Sequence, residues 1–201
     1  MTPASILLTV RDIITDTDSS AYRQSDDELL RYLNDGLCEA CIIAPQLFYV
    51  TGDMQCAPDE TEQGVSFADA KEFVEVIRIK GGAAVFPADF DTLSAFNPNW
   101  GQVTAAPAAN WMKKPNDLLR FYIYPKAPAV QILEVKYVAN PTPLTIADMD
   151  SEITDLPGAY HPAMVDYAVY RSESKDDEHV LSQRATAHYA AFVAKLKPQG
   201  A

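Results

Sequence analysis

Between Ser25 and Ile43 apolar side chains recur once per helical turn at Leu29, Leu33, Leu37 and Cys41, with polar residues between them. That spacing predicts an amphipathic helix over 25–43. Ser25 stands where its hydroxyl can take a bond from an orphan backbone N–H, and Glu28, three residues on, can reach back to the Ser25 amide. Asp26 and Asp27 put negative charge on the positive end of the helix dipole. Pro45 predicts the stop, because the residue before a proline is pushed out of the α region. Gly36 inside the pattern costs roughly 1 kcal/mol relative to alanine, which points to close packing there.

The same period predicts a helix over 3–15, with Ile6, Val10, Ile13 and Ile14 on one face, followed by a polar turn from Asp16 to Ser20. It returns at the other end of the chain. Tyr160–Ser174 carries Ala163, Tyr167 and Tyr170 on one side, and Val180–Leu196 carries Leu181, Ala185, Tyr189 and Phe192. From Leu47 onward the pattern changes toward alternation. Strands are predicted at Leu47–Val50, Phe73–Ile79, Leu119–Pro125 and Ile132–Val138, the last two the strongest of them and joined by a proline-containing turn at 126–129. Gly81-Gly82 ends the Phe73–Ile79 strand. A short helix capped by Asp89 is predicted over Asp89–Phe96, closed by Asn97-Pro98, and residues 101–115 are expected to form a loop.

Helices at both ends and strands between them predict an α+β fold: a bundle of about four helices carrying an inserted, mainly antiparallel β subdomain. The expected domains are residues 1–45 with 156–197 for the bundle and 46–155 for the β-rich insert. Residues 198–201 are expected to form a flexible C-terminal tail.

Composition narrows the function. The 201 residues are 48% hydrophobic and 22% charged, within the globular range. No run of about 18 apolar residues supports a transmembrane helix, and the opening stretch lacks the basic region of a secretory signal. The net charge of −12 argues against grip on a phosphate backbone, where counterion release by lysine and arginine supplies most affinity. Three cysteines, an odd number, make a disulfide framework improbable and suit a reducing cytosol.

Candidate chemistry is sparse. Cys38-x-x-Cys41 lies about three turns into its helix, where the dipole no longer lowers a thiol pKa, so core cysteines are expected rather than a redox or zinc pair. His161, His179 and His188 have no metal-ligand spacing and are expected in surface or interface roles. Asp148, Asp150 and Glu152 alternate as in some calcium loops but lack the turn glycine and distal glutamate, which leaves a solvated acidic loop. Trp100, Trp111, Tyr122, Tyr124 and Tyr137 suit core and interface packing better than base stacking, since no basic partners accompany them. No catalytic, cofactor-binding or metal-binding residue is expected.

The stretch Tyr22-Arg23-Gln24-Ser25-Asp26-Asp27-Glu28-Leu29-Leu30-Arg31-Tyr32-Leu33-Asn34-Asp35-Gly36 resembles the bacteriophage head-to-tail adaptor (connector) family, of the tail tubular protein A type of short-tailed phages. In that family a short first helix leads through an arginine-containing turn into such a segment. Three further stretches extend the resemblance in the family's order: 116–125 with 133–137 and 141–144, then 156–171, then 175–178 with 187–192. The resemblance implies a non-enzymatic virion protein of the neck, without cofactor, assembled in the bacterial host cytoplasm. It implies a closed homo-oligomeric ring, commonly of twelve copies, between the portal protein and a tail nozzle or tail tube protein. DNA would pass through the lumen without specific binding. It also implies a portal-docking arm at Lys195, Leu196, Lys197, Pro198, Gln199, Gly200 and Ala201. A head-completion or tail-terminator protein is the nearest alternative, and a small carbohydrate-binding or hydrolase domain a remoter one.

Overall fold

The computed structural model describes residues 1–175 and 182–197. The predicted Leu181 contact, the helix start at Val180, His179, the acidic 176–178 stretch and the tail Pro198–Ala201 lie outside them. The chain forms two compact units, one from Met1–Phe48 with the chain from Pro141 onward, the other Tyr49–Asn140. The insert is therefore narrower than the 46–155 expected, because residues 141–155 pack with the helices. Asn34 secures that strap by receiving the Leu144 amide at 2.8 Å and donating to its carbonyl at 2.9 Å. The Ala4 amide donates to Met149 O at 2.9 Å, and Ile153 and Leu156 are buried.

The helical unit contains α1 (Pro3–Ile13), α2 (Asp26–Ile43), α4 (His161–Ser174) and α5 (Ser182–Leu196). Each apolar face lies where the spacing put it: Ile6, Val10, Leu29, Leu33, Leu37 and Phe192 are all buried. The exception is α4. Its spacing predicts one apolar side, yet residues 163–169 are buried all round, including Asp166. It is the central helix, touching α1, α2 and α5, and a helix so enclosed must be apolar or internally paired on every side.

The α2 cap forms only in part as predicted. Ser25 Oγ accepts the Glu28 amide at 3.2 Å, but the Glu28 carboxylate turns to the Tyr32 hydroxyl at 2.7 Å and to Lys175 instead of the Ser25 amide. A cation and a buried hydroxyl outbid a backbone amide that water can reach.

The β unit stacks two sheets. In one, β1 (Tyr49–Gln55), β7 (Ile132–Ala139) and β3 (Ala70–Ile79) run in the order β1-β7-β3, all antiparallel. The other has the order β2-β6-β5-β4, from β2 (Glu62–Gly64), β4 (Phe86–Pro87), β5 (Asn110–Lys113) and β6 (Arg120–Tyr124), with only β4–β5 parallel. Met54, Phe73, Leu133 and Val135 of the first sheet meet Trp111, Phe121 and Ile123 of the second in one core. Phe73 stacks on Phe121 at 4.2 Å between centroids and meets the Trp111 ring edge-on at 5.2 Å.

Three sequence expectations change here. The strand predicted at 47–50 begins only at Tyr49, since Pro45 opens a 3-10 turn over Pro45–Phe48 that buries Phe48. The expected loop at 101–115 contains β5, a four-residue strand held by pairing along β6 (Asn110↔Tyr124 to Lys113↔Phe121) rather than by its own propensity. The strands joined by the 126–129 turn do not form a hairpin: β6 and β7 belong to different sheets. Their link is bonded elsewhere, Lys126 to Val103 O and Ala127 O to the Asp59 amide. Alternation identifies each buried face but not whether two such faces lie side by side or face to face. The short helix is as expected: α3 (Phe90–Phe96) is capped by Asp89 Oδ1 on the Thr92 amide at 2.8 Å.

Gly36 sits where an added Cβ would lie 2.9 Å from Tyr167 Cδ1 and 3.1 Å from Cγ. The Tyr167 ring is buried against Phe192 at 4.9 Å and cannot yield. Gly36→Ala should therefore destabilise the protein by about 1–2 kcal/mol, overpacking exceeding the gain in helix propensity. Chemical denaturation of the two proteins measures it, and stabilisation by alanine would contradict this packing.

Candidate functional site

The helical unit is tied by one buried cation. Thr15 turns into the left-handed region (φ +58) and ends α1, folding the chain back so that the Asp16 amide donates to Arg11 O at 2.9 Å. Arg11, 3% exposed, then lies inside the turn that its own helix enters. Its Nη1 donates to Asp16 Oδ2 at 2.8 Å, and its Nη2 donates to Gln24 O at 2.8 Å and Asp26 Oδ1 at 2.7 Å. The Tyr22 ring lies 3.5 Å from the guanidinium carbon, close enough for a cation–π contact. Asp16 in turn accepts the Arg23 amide at 2.8 Å and the Gln24 amide at 3.3 Å. The motif that carries the family resemblance, Tyr22 to Asp26, is thus folded around a residue the sequence reading passed over. An arginine four residues from the end of a predicted helix, with acids at 16 and 26, was the available signal.

The C-terminal residues divide. Leu196 is fully buried in the helical core. Lys195, although exposed, pairs with Asp166 and reaches Pro162 O at 3.4 Å. Asp166 also meets His188 Nδ1 at 2.9 Å, closing α4 on α5. Of the arm residues Lys195 to Ala201, the first two are thus held in the bundle, Lys197 is exposed, and Pro198 to Ala201 lie outside the described residues.

Other sequence candidates resolve into packing. Cys41 and Cys56 are buried, and burial pushes the Cys56 thiol pKa up, whereas Cys38, expected in the core with Cys41, is exposed, because it lies one residue past Leu37 and off the buried face of α2. His161 was expected near the surface but is fully buried, its Nε2 donating to Leu156 O at 2.9 Å. Asp148 receives the Thr145 amide and Asp155 the Thr142 amide, so the acidic loop uses two carboxylates to fix its own backbone. Trp100, Tyr122 and Phe90 form one ring cluster with centroids 5.5–6.0 Å apart. Trp111 and Tyr137 are buried, and the Tyr124 hydroxyl accepts from Asn97 at 3.3 Å. Among the described residues no group of three or more His, Cys, Asp or Glu is placed to hold a metal ion, and no helix is long and apolar enough to cross a membrane.

A family model described as SU10 adaptor protein matches residues 1–199. The chain belongs to the SU10 adaptor protein family. The head-to-tail adaptor resemblance of the sequence is borne out. Among solved structures, one match is a chain of the "Neck of empty GTA particle computed with C6 symmetry", at 15% identity over 100% of this chain and 95% of that one. Its TM-score of 0.34 is too low to bear on the adaptor's fold or assembly. No curated protein matches the chain.

Two measurements probe the contacts of the adaptor's helical unit. Arg11→Met should cost about 3–5 kcal/mol in denaturant unfolding, because Asp16 is left buried without its cation. A loss under 1 kcal/mol would show that Asp16 is reached by water. The second reads the Glu28–Tyr32–Lys175 contact against pH. Burial, then the Glu28 bond, pushes the Tyr32 pKa up to about 12. Lys175, then Tyr32, hold the Glu28 pKa below its usual range. An unfolded tyrosine titrates near about 10, so stability from the Tyr32 contact is complete below about pH 10 and is lost as pH rises toward about 12. The Glu28 contribution runs the other way, present above the ordinary carboxylate range and lost as pH falls through and below it. The melting-temperature difference between wild type and Tyr32→Phe should accordingly favour wild type at pH 7 and close at strongly alkaline pH.

Proposed function

We propose that this protein is a neck component of a tailed-phage virion: an adaptor that forms a closed ring between the portal and the tail and continues the DNA channel. The observation that carries the reading is the family match over residues 1–199. The proposed mechanism is geometric. Each copy presents one surface to the next, and a head-to-tail contact whose rotation closes yields a ring; twelve copies is the proposed number. The net charge of −12 supports a lumen along which DNA slides without being held. In this mechanism Lys197 and Pro198–Ala201 form the arm that engages the portal, while Lys195 and Leu196, the last residues of α5, fix its base in the helical unit. The lower surface receives a tail nozzle or tail tube protein, and assembly takes place in the host cytoplasm.

Native mass spectrometry of the purified protein, alone and mixed with its phage's portal, tests the reading. The expected result is a closed ring, alone or built on the portal, whose mass gives the copy number. A monomer indifferent to portal would overturn it, and capture by the tail tube alone would favour a tail-terminator role. Removing Pro198–Ala201 should weaken portal binding at least tenfold and leave the melting temperature of the isolated protein unchanged.

A further inference from the structure

Sheet edges invite pairing with other chains, and proteins ordinarily blunt them. In this β unit every edge is blunted except one. The strand β3 is irregular, with register shifts in its pairing with β7 at 70–72, 73–75 and 76–78, and its outer side is bonded to neighbouring segments through Ile79 N to Ala83 O and Phe73 N to Leu118 O. The edge strand β4 has two residues, one of them Pro87, and β2 has three. The seven-residue β1 pairs only with β7.

The register tells which groups β1 leaves open. Cys56, continuing the strand, donates its N–H to Gln131 O at 2.8 Å, so Cys56 faces β7. Backbone groups alternate in direction along an antiparallel strand. Val50, Gly52 and Met54 therefore also bond toward β7, while Tyr49, Thr51, Asp53 and Gln55 turn their N–H and C=O outward. Among the described residues those outward groups meet no partner. The side chains are equally open: Tyr49, Val50, Thr51, Asp53 and Gln55 are exposed. The one charge that could repel an incoming strand, Asp53, is paired with Lys80 across the sheet.

We infer that the β1 edge is a strand-addition site, which takes an extended segment from another virion chain as a fourth strand beside β1. The side chains define that segment. On the inner face it lies beside Val50 and beside Gly52, whose missing side chain leaves room for the Phe67 ring; apolar, β-branched residues fit there. On the outer face it lies beside Thr51, Asp53 and Gln55, with Glu134 in the next strand. With Asp53 paired to Lys80, Glu134 to Arg78 and Lys136 opposite Thr51, that row carries no net charge, and neutral hydrogen-bonding residues complement it. No proline stands where the segment must donate to β1 carbonyls. The virion source of the segment rests on the adaptor reading; the open edge does not.

Residue-resolved amide exchange, on the isolated protein and on purified particles, tests this. In the isolated protein the Thr51, Asp53 and Gln55 amides should exchange as fast as open loops, while Val50, Gly52 and Met54 are protected. In the particle the first three should slow at least tenfold. Unchanged exchange there overturns the inference. Concentration-dependent protection in the isolated protein also overturns it, since β1 would then pair with a second copy. Thr51→Pro removes only an outward N–H, so it should keep the melting temperature and lose incorporation into particles. Should proline impair folding, Thr51→Lys, an edge charge of the kind that blunts strand addition, set here opposite Lys136, should reduce incorporation at least tenfold; normal incorporation of a folded variant overturns the site. Particles without the chain would overturn the adaptor reading, and with it the virion donor, a result the particle's protein composition reveals separately.

Discussion

The helical unit depends on one enclosed charge. Arg11 is removed from water inside the turn between α1 and α2, and the desolvation of a guanidinium is recovered only if its donors are occupied with good geometry. Asp16, Gln24 and Asp26 occupy them, at distances of 2.7–2.8 Å. The direction of α2, the conformation of the 16–24 turn and the position of the capped Ser25 start all follow from satisfying that one side chain. Loss of a buried partner costs more than the pair contributes over an apolar replacement, so the arrangement specifies a conformation more than it adds stability.

A second constraint is enclosure of α4. Residues 163–169 touch neighbours on every side, so its polar members need internal partners. Asp166 finds His188 and Lys195 on α5, and Tyr167 fills the space that Gly36 leaves on α2. At the end of the chain α5 is fastened to α1 as well, through Arg184 donating to Ile13 O at 2.6 Å, where a cation is favoured by the helix dipole. A frame with its last helix fixed can present a short terminal arm from a defined point, which is what the proposed docking to the portal requires.

The β unit solves a different problem. Its core is aromatic and lies between two sheets, while the outer row of the β1-β7-β3 sheet is tiled with the pairs Arg78–Glu134, Lys80–Asp53 and Lys136–Glu75. Exposed pairs of this kind contribute little stability each. Their effect is to leave that face without a net field in a chain that is acidic overall. With β2, β3 and β4 shortened, bulged or ended by proline, β1 is where the sheet can still grow.

Local regularities were legible in the chain: the Ser25 and Asp89 caps, the Pro45 stop, the apolar faces of α1, α2 and α5, the β3, β6 and β7 strands, and the ordered motifs of the adaptor family. These depend on residues a few positions apart, and short-range sterics and hydrogen bonding decide them. What only the tertiary structure decided is long-range. Alternation in β6 and β7 marked two buried faces, but their placement in opposite sheets came from bonds made by residues 103, 59 and 131. The β5 strand exists because β6 is there to pair with it, and Glu28 chose Tyr32 and Lys175 over its own cap. Arg11 reads as an ordinary surface residue until residues 16, 24 and 26 fold around it. The open side of β1 is likewise a property of the sheet order, since an edge is defined by the strand that does not come to it.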